Sequence, residues 1–203
     1  MKRVCLFFTA ALFASAALMT SCEKDDGGGG GGALVASPIS TLDVKIEGGS
    51  EYNDRVSEVR LIALGSSTVL AVAEYSNGGF KMDLPVGLSD EIISEFDVEE
   101  GGNDVDVSNM DAKLAYGLLE AYSSSGRKVG DIHYTKMTPS SYVSMMLIYS
   151  DSDVTIVKGN RDALPYNLSL KKGWNQTFFI GTELSGIVEH TTNPQSGMTW
   201  IID

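Results

Sequence analysis

The sequence predicts an all-β protein, an antiparallel β-sandwich of about ten strands with one short helix, behind a cleaved signal and a flexible linker. Three observations predict it. From Thr41 onward, apolar and polar residues alternate over short runs, the period-two pattern of strands with one buried face. Turn residues such as Gly48-Gly49, Asn77-Gly78-Gly79 and Asp151-Ser152-Asp153 divide those runs at strand-like intervals. The hydrophobic set is 43% of the 203 residues and charged residues are 21%, enough apolar content for a packed core.

Residues 1–21 read as a signal peptide. Lys2 and Arg3 are a short positive region, Val4 to Leu18 is apolar except for Thr9 and Ser15, and small residues follow. The run is short for a membrane span, and no second apolar anchor follows. Met19-Thr20-Ser21-Cys22 resembles a lipobox, the site where bacterial lipoproteins are cut and acylated on the new terminal cysteine. The resemblance implies a palmitate-bearing Cys22, anchored by acyl chains that contribute about 0.8 kcal/mol per buried CH2. The alternative is a secreted protein that happens to carry a cysteine there. With Cys5 in the signal and Cys22 lipidated, the mature chain has neither free thiol nor disulfide, so its core must supply its stability.

Residues 22–40 form the tether. Gly27 to Gly32 is a flexible coil with nothing to pack. Lys24-Asp25-Asp26, just behind the cysteine, resembles the surface-export signal of Bacteroidetes lipoproteins. That resemblance implies an outer-membrane protein facing outward, with periplasmic retention as the alternative.

The folded part is expected over 41–203. Leu42, Val44 and Ile46 alternate with polar residues, and Val59, Leu61 and Ala63 share one face of a run from Val56 to Leu64. Val69 to Tyr75 leads into a hairpin signal, and Phe80, Met82 and Leu84 alternate before Pro85. Leu88 to Phe96, with Ser89 as N-cap and acids in its first turn, is the expected helix. Acidic, Gly/Asn-rich 97–111 reads as a loop. Lys113 to Tyr122 and Val129 to Lys136 flank a Ser-Ser-Ser-Gly-Arg turn, and Tyr142 to Tyr149 and Val154 to Val157 flank Asp151-Ser152-Asp153. Tyr166 to Leu170, Gln176 to Ile180, Ile187 to Thr191 and Met198 to Ile202 complete the strands. One domain is preferred over two units, 41–96 and 105–203, because a unit of some 55 residues without disulfides would be marginal.

Charge and motifs narrow the function classes. The formal net charge is −12, from 15 basic and 27 acidic residues. Losing Lys2 and Arg3 with the signal leaves 13 against 27, or −14. This argues against nucleic acid as a partner and keeps the domain off anionic membrane surfaces. Two cysteines cannot build a Cys-rich zinc site, and no Gly-x-Ser-x-Gly or His-Glu-x-x-His motif is present. His133, flanked by Asp131 and Thr135 on one strand face, and His190 could serve as bases, but each fits an ordinary strand position better. Glu99, Asn103, Asp104, Asp106 and Asp111 are calcium-type donors without EF-hand spacing, so no metal site and no cofactor is expected. Trp174, with Asn175 and Tyr166, could form a platform for a polysaccharide; the competing reading makes Trp174 a core anchor of the Lys171-Lys172-Gly173 turn. Trp200, Tyr52 and Tyr75 are further aromatic candidates. The stretch 33–40 is the loose apolar segment that a fimbrial or surface-layer subunit would offer as a donor strand.

Two wider resemblances follow from these motifs. Residues 41–86, closing on Asn77-Gly-Gly-Phe-Lys-Met-Asp-Leu-Pro85, look like the transthyretin-like (carboxypeptidase regulatory) module, although Glu47-Gly48-Gly49 departs from the family's opening. The resemblance implies a β-sandwich and no activity. The whole order of lipobox, acidic-Gly tether, Asn109 to Ala115, Tyr149 to Val154, Leu170 to Asn175 and terminal Thr-Trp is similar to a set of uncharacterised Bacteroidetes lipoproteins. Together these imply a non-catalytic surface lipoprotein that binds or assembles. The membrane is met through the lipid, and polysaccharide or another surface protein is the partner.

Overall fold

The structure is a computed structural model that describes residues 37–96, 105–158, 165–182 and 186–203. The described residues fall in one compact unit. The described strands are β1 (Thr41–Lys45), β2 (Glu58–Ala63), β3 (Val69–Ser76), β4 (Gly79–Asp83), β5 (Ser94–Glu95), β6 (Val105–Val107) and β7 (Lys113–Tyr122). They continue with β8 (Lys128–Met137), β9 (Ser141–Ser150), β10 (Val154–Lys158), β11 (Tyr166–Leu170), β12 (Gly173–Thr182), β13 (Gly186–Thr191) and β14 (Thr199–Ile202). The chain is therefore all-β.

The strands join in one large, mostly antiparallel sheet, ordered β1-β4-β3-β2-β7-β8-β9-β12-β13-β11-β10-β6, with β14 on β8 and β5 on β7. The β11–β13 pair is parallel. Pairing of β2 with β7 carries the sheet from the first half of the chain into the second. The path curls back on itself. Ile39 N–H bonds the Trp174 carbonyl at 2.8 Å, and Glu47 N–H bonds the Trp200 carbonyl at 2.8 Å, so β1 meets β12 at one end and β14 at the other.

Alternation along the strands explains why the sheet curls. Ala115, Leu119 and Ala121 of β7 and Leu147 and Tyr149 of β9 face a first core with Leu42, Val44, Val59, Leu61, Phe80, Met82 and Trp174. Leu114 and Ile148, one residue out of phase, face a second core with Val154, Ile156, Leu168 and Leu170. The start of β7 and the end of β9 are thus buried on both faces. Burying each of these large side chains contributes about 1.5–3 kcal/mol.

The Asn77-Gly78 turn forms as expected. Ser76 pairs Gly79, and Asn77 and Gly78 have φ of 52° and 75°, the two left-handed positions of a type I′ hairpin.

Two expectations are corrected. The helix expected over Leu88–Phe96 is a single turn, with Ile92 N–H bonded to Ser89 O at 2.9 Å, followed by β5 on the edge of β7. A segment this short cannot repay helix nucleation, and pairing Ser94 and Glu95 with Leu114 and Lys113 supplies backbone bonds instead. Among the described residues, the regular helix is the 3-10 turn Gly49–Tyr52. The expected loop over 97–111 also contains a strand. Val105 and Val107 pack on the second core while Asp106 is exposed, and β6 pairs β10. A three-residue alternation inside an acidic stretch is too short to outweigh its composition when read from sequence. Residues 97–104 lie outside the described residues.

Candidate functional site

Cys22, Lys24, Asp25 and Asp26 lie outside the described residues. The proposed platform of Trp174, Asn175 and Tyr166 lies within them, and its geometry corrects the stacking reading. Trp174 is 2% exposed. Its ring meets Tyr149 edge-on at 5.6 Å, and its indole N–H donates to the Pro85 carbonyl at 3.0 Å. The indole lies over Gly117, where an added Cβ would stand 3.0 Å from the ring and 2.8 Å from Leu61 Cδ1.

Asn175 is fully buried and holds the preceding turn. Its Oδ1 accepts from Lys171 N–H at 2.9 Å, and its Nδ2 donates to the carbonyls of Lys171 at 2.8 Å and Gly173 at 2.9 Å. Tyr166 packs edge-on against Phe96 at 5.8 Å and beside His190. Trp174 and Asn175 point to opposite faces of β12, and both side chains are buried, Trp174 within the first core. Two of the other aromatic candidates are also engaged within the fold. Tyr75 is buried with its hydroxyl on Gly49 O at 2.7 Å, and Trp200 stacks on Tyr134 at 4.8 Å.

The two histidines occupy opposite environments. His133 on β8 is 40% exposed, and its Nε2 lies 3.2 Å from Asp203 Oδ1. Among the described residues no hydroxyl bonds it, so the pair lacks an adjacent nucleophile. His190 is 2% exposed, stacked on Phe179 at 3.9 Å, with Nε2 2.9 Å from Thr177 Oγ1. The Thr177 hydroxyl donates to Met146 O at 3.2 Å, which leaves its oxygen to receive the His190 N–H. Burial pushes the His190 imidazole down to about 4, so it is neutral and structural near pH 7.

The acidic candidates act as turn fixtures. Asp151 Oδ1 accepts from Lys113 N–H at 3.0 Å. Asp153 accepts from Lys171 Nζ at 2.8 Å and from Lys172 N–H at 2.9 Å, which hold its carboxyl below the usual range. Among the described residues no three His, Cys, Asp or Glu side chains gather as metal ligands. Glu99, Asn103 and Asp104 lie outside the described residues.

Polar chemistry instead collects on the solvent face of β2, β7 and β8, which single-strand reading missed. Arg60 Nε donates to Glu58 at 2.7 Å, and its guanidinium sits 3.9 Å from the Tyr122 ring centre. Tyr122 donates to Glu120, which raises its hydroxyl pKa. Lys128 bonds Asp131 at 2.7 Å and Glu120 at 2.8 Å, and these carboxylates hold its ammonium well above the ordinary value. These neighbours are cross-strand pairs, such as Arg60 opposite Glu120, and only the register reveals them. The arrangement is a network of paired charges with the Tyr122 ring under the Arg60 guanidinium. Comparison with known protein families, curated proteins and solved structures found no match to this chain.

Proposed function

We propose that this chain is a lipid-anchored outer-membrane lipoprotein, displayed at the cell surface, whose β-sandwich-like domain binds or assembles without catalysis. The observation that carries the reading is the sequence Met19-Thr20-Ser21-Cys22 behind the apolar run Val4 to Leu18. Sixteen residues, 23–38, separate Cys22 from Ile39, the first of the described residues bonded into the sheet. A flexible chain of that length spans on the order of 22 Å. The net charge of −12 favours a soluble domain held near, and not against, an anionic membrane. The sandwich description is supported by the first core, where side chains of β1 to β4 pack together with side chains of β7, β9 and β12.

The test is metabolic labelling with an alkyne palmitate analogue. The wild-type chain should be labelled and partition into detergent, and Cys22→Ser should lose both properties. Labelling that survives Cys22→Ser would refute the anchor assignment.

A further inference from the structure

A hollow of about 430 Å³ opens beside the end of β7, lined by Asp54, Arg55, Ser123, Ser125, Arg127 and Lys128. It inverts the local charge of the protein: three cations face one carboxylate in a chain with 27 acids and 15 bases. Lys128 is already paired with Glu120 and Asp131. Arg55 and Arg127 have no ion pair among the described residues, and both are exposed. An unpaired guanidinium presents a planar fork of donors that fits a carboxylate or sulfate through two parallel bonds.

The backbone around the two arginines is fixed. Ser123 Oγ accepts from Arg127 N–H at 3.3 Å and donates to Arg127 O at 3.2 Å, and Gly126 takes φ of 76° to close the turn. Ser125 Oγ lies 3.0 Å from Ser123 Oγ. Across the hollow, Arg55 N–H bonds Tyr52 O at 2.9 Å, and its guanidinium lies over the Tyr52 ring at 5.2 Å. The Tyr52 hydroxyl in turn donates to Ile202 O at 3.2 Å, so the ring that supports Arg55 is itself held.

Position in the fold indicates which way the hollow points. Ile39 adjoins Trp174, which pairs Tyr149, which pairs Ala115 near the start of β7. The hollow lies past Tyr122 at the other end of that strand, about 23 Å away at the usual rise per residue. A tether leaving at Ile39 therefore departs from the opposite end of the domain.

We infer that this hollow binds an acidic polysaccharide, taking a carboxylate or sulfate group between Arg55 and Arg127. The two guanidiniums take one carboxylate or sulfate at a time within an acidic surround, so the site suits a sugar chain that presents such groups among uncharged hydroxyls, not the continuous phosphates of nucleic acid. The inference deepens the binding role proposed above and rests on that reading only for the outward display.

The test uses the mature lipoprotein in non-ionic detergent micelles, immobilised and exposed to hyaluronan, chondroitin sulfate, neutral dextran and phosphatidylglycerol vesicles. At least one acidic polysaccharide should bind, dextran should not, and binding should weaken as salt rises from about 50 to about 300 mM. Arg55→Gln/Arg127→Gln should weaken binding roughly tenfold or more, whereas Lys172→Gln, a basic site on another turn, should leave it unchanged. Arg127→Gln alone, in an exposed turn, provides a second variant should the double substitution disturb folding. No binding to either acidic polysaccharide, undiminished binding by the variants, equal loss in Lys172→Gln, or variant-sensitive binding to vesicles alone would overturn the inference. None of these outcomes bears on acylation of Cys22, so the two readings fail separately.

Discussion

Acidification should destabilise this protein through one side chain, His190. In the fold its imidazole is pushed by burial from 6.5 down to about 4. In the unfolded chain it returns to about 6.5. The unfolded state therefore holds more protons between those two values, and stability falls as pH drops through that window. Above about pH 6.5 the ring is neutral in both states and nothing is lost. The full cost, reached below about pH 4, is on the order of 3 kcal/mol, because each tenfold change in proton affinity is worth about 1.36 kcal/mol. From about pH 8 to pH 5 the loss is about 2 kcal/mol by the same linkage.

Relief of net negative charge on acidification acts in the opposite direction. The informative quantity is therefore a difference. Urea unfolding at both pH values is compared for wild type and His190→Gln, which keeps an N–H for Thr177. The variant should be less stable at pH 8, because it loses the stack on Phe179, yet should lose about 2 kcal/mol less than wild type on acidification. Equal acid losses in both proteins, or a His190 NMR titration midpoint between about 6 and about 7, would rule out a ring held neutral by burial.

Three further substitutions probe the packing. Gly117→Ala should cost about 1–3 kcal/mol in urea melts, because the new methyl meets Leu61 and Trp174, both buried and unable to retreat. Asn175→Ala should cost roughly 1–3 kcal/mol, since it removes a fully buried side chain that bonds the Lys171 amide and the Lys171 and Gly173 carbonyls. Lys171→Met should change stability by less than about 1 kcal/mol, because its partner Asp153 is 61% exposed and the pair is screened.

The strand pattern was legible because period-two alternation is a local property. Leu42, Val44 and Ile46 all lie in the core, as their spacing implies. What stayed hidden was pairing. Ala115 and Leu114 read as one apolar run, but they serve different cores, because the start of β7 is covered on both sides. Trp174 at a turn suits a surface or a core, and its neighbours Tyr149 on β9 and Gly117 on β7 decide for the core. The hollow was less legible still. Arg127-Lys128 is a visible cationic pair, but Arg55 joins it from about seventy positions upstream, and no local pattern brings them together. Short segments misled for a related reason: Leu88 to Phe96 has helix-like end signals, yet its fate was set by a free edge on β7.

Everything proposed for this protein turns on where the domain is displayed. Proteinase K treatment of intact cells, followed by detection of residues beyond Ile39, tests this without intermediate assumptions. The domain should disappear while a periplasmic control survives, and a variant with Lys24, Asp25 and Asp26 all replaced by Ala should become protected. A wild-type domain that persists until the cells are lysed would contradict surface display and turn the search toward partners inside the envelope.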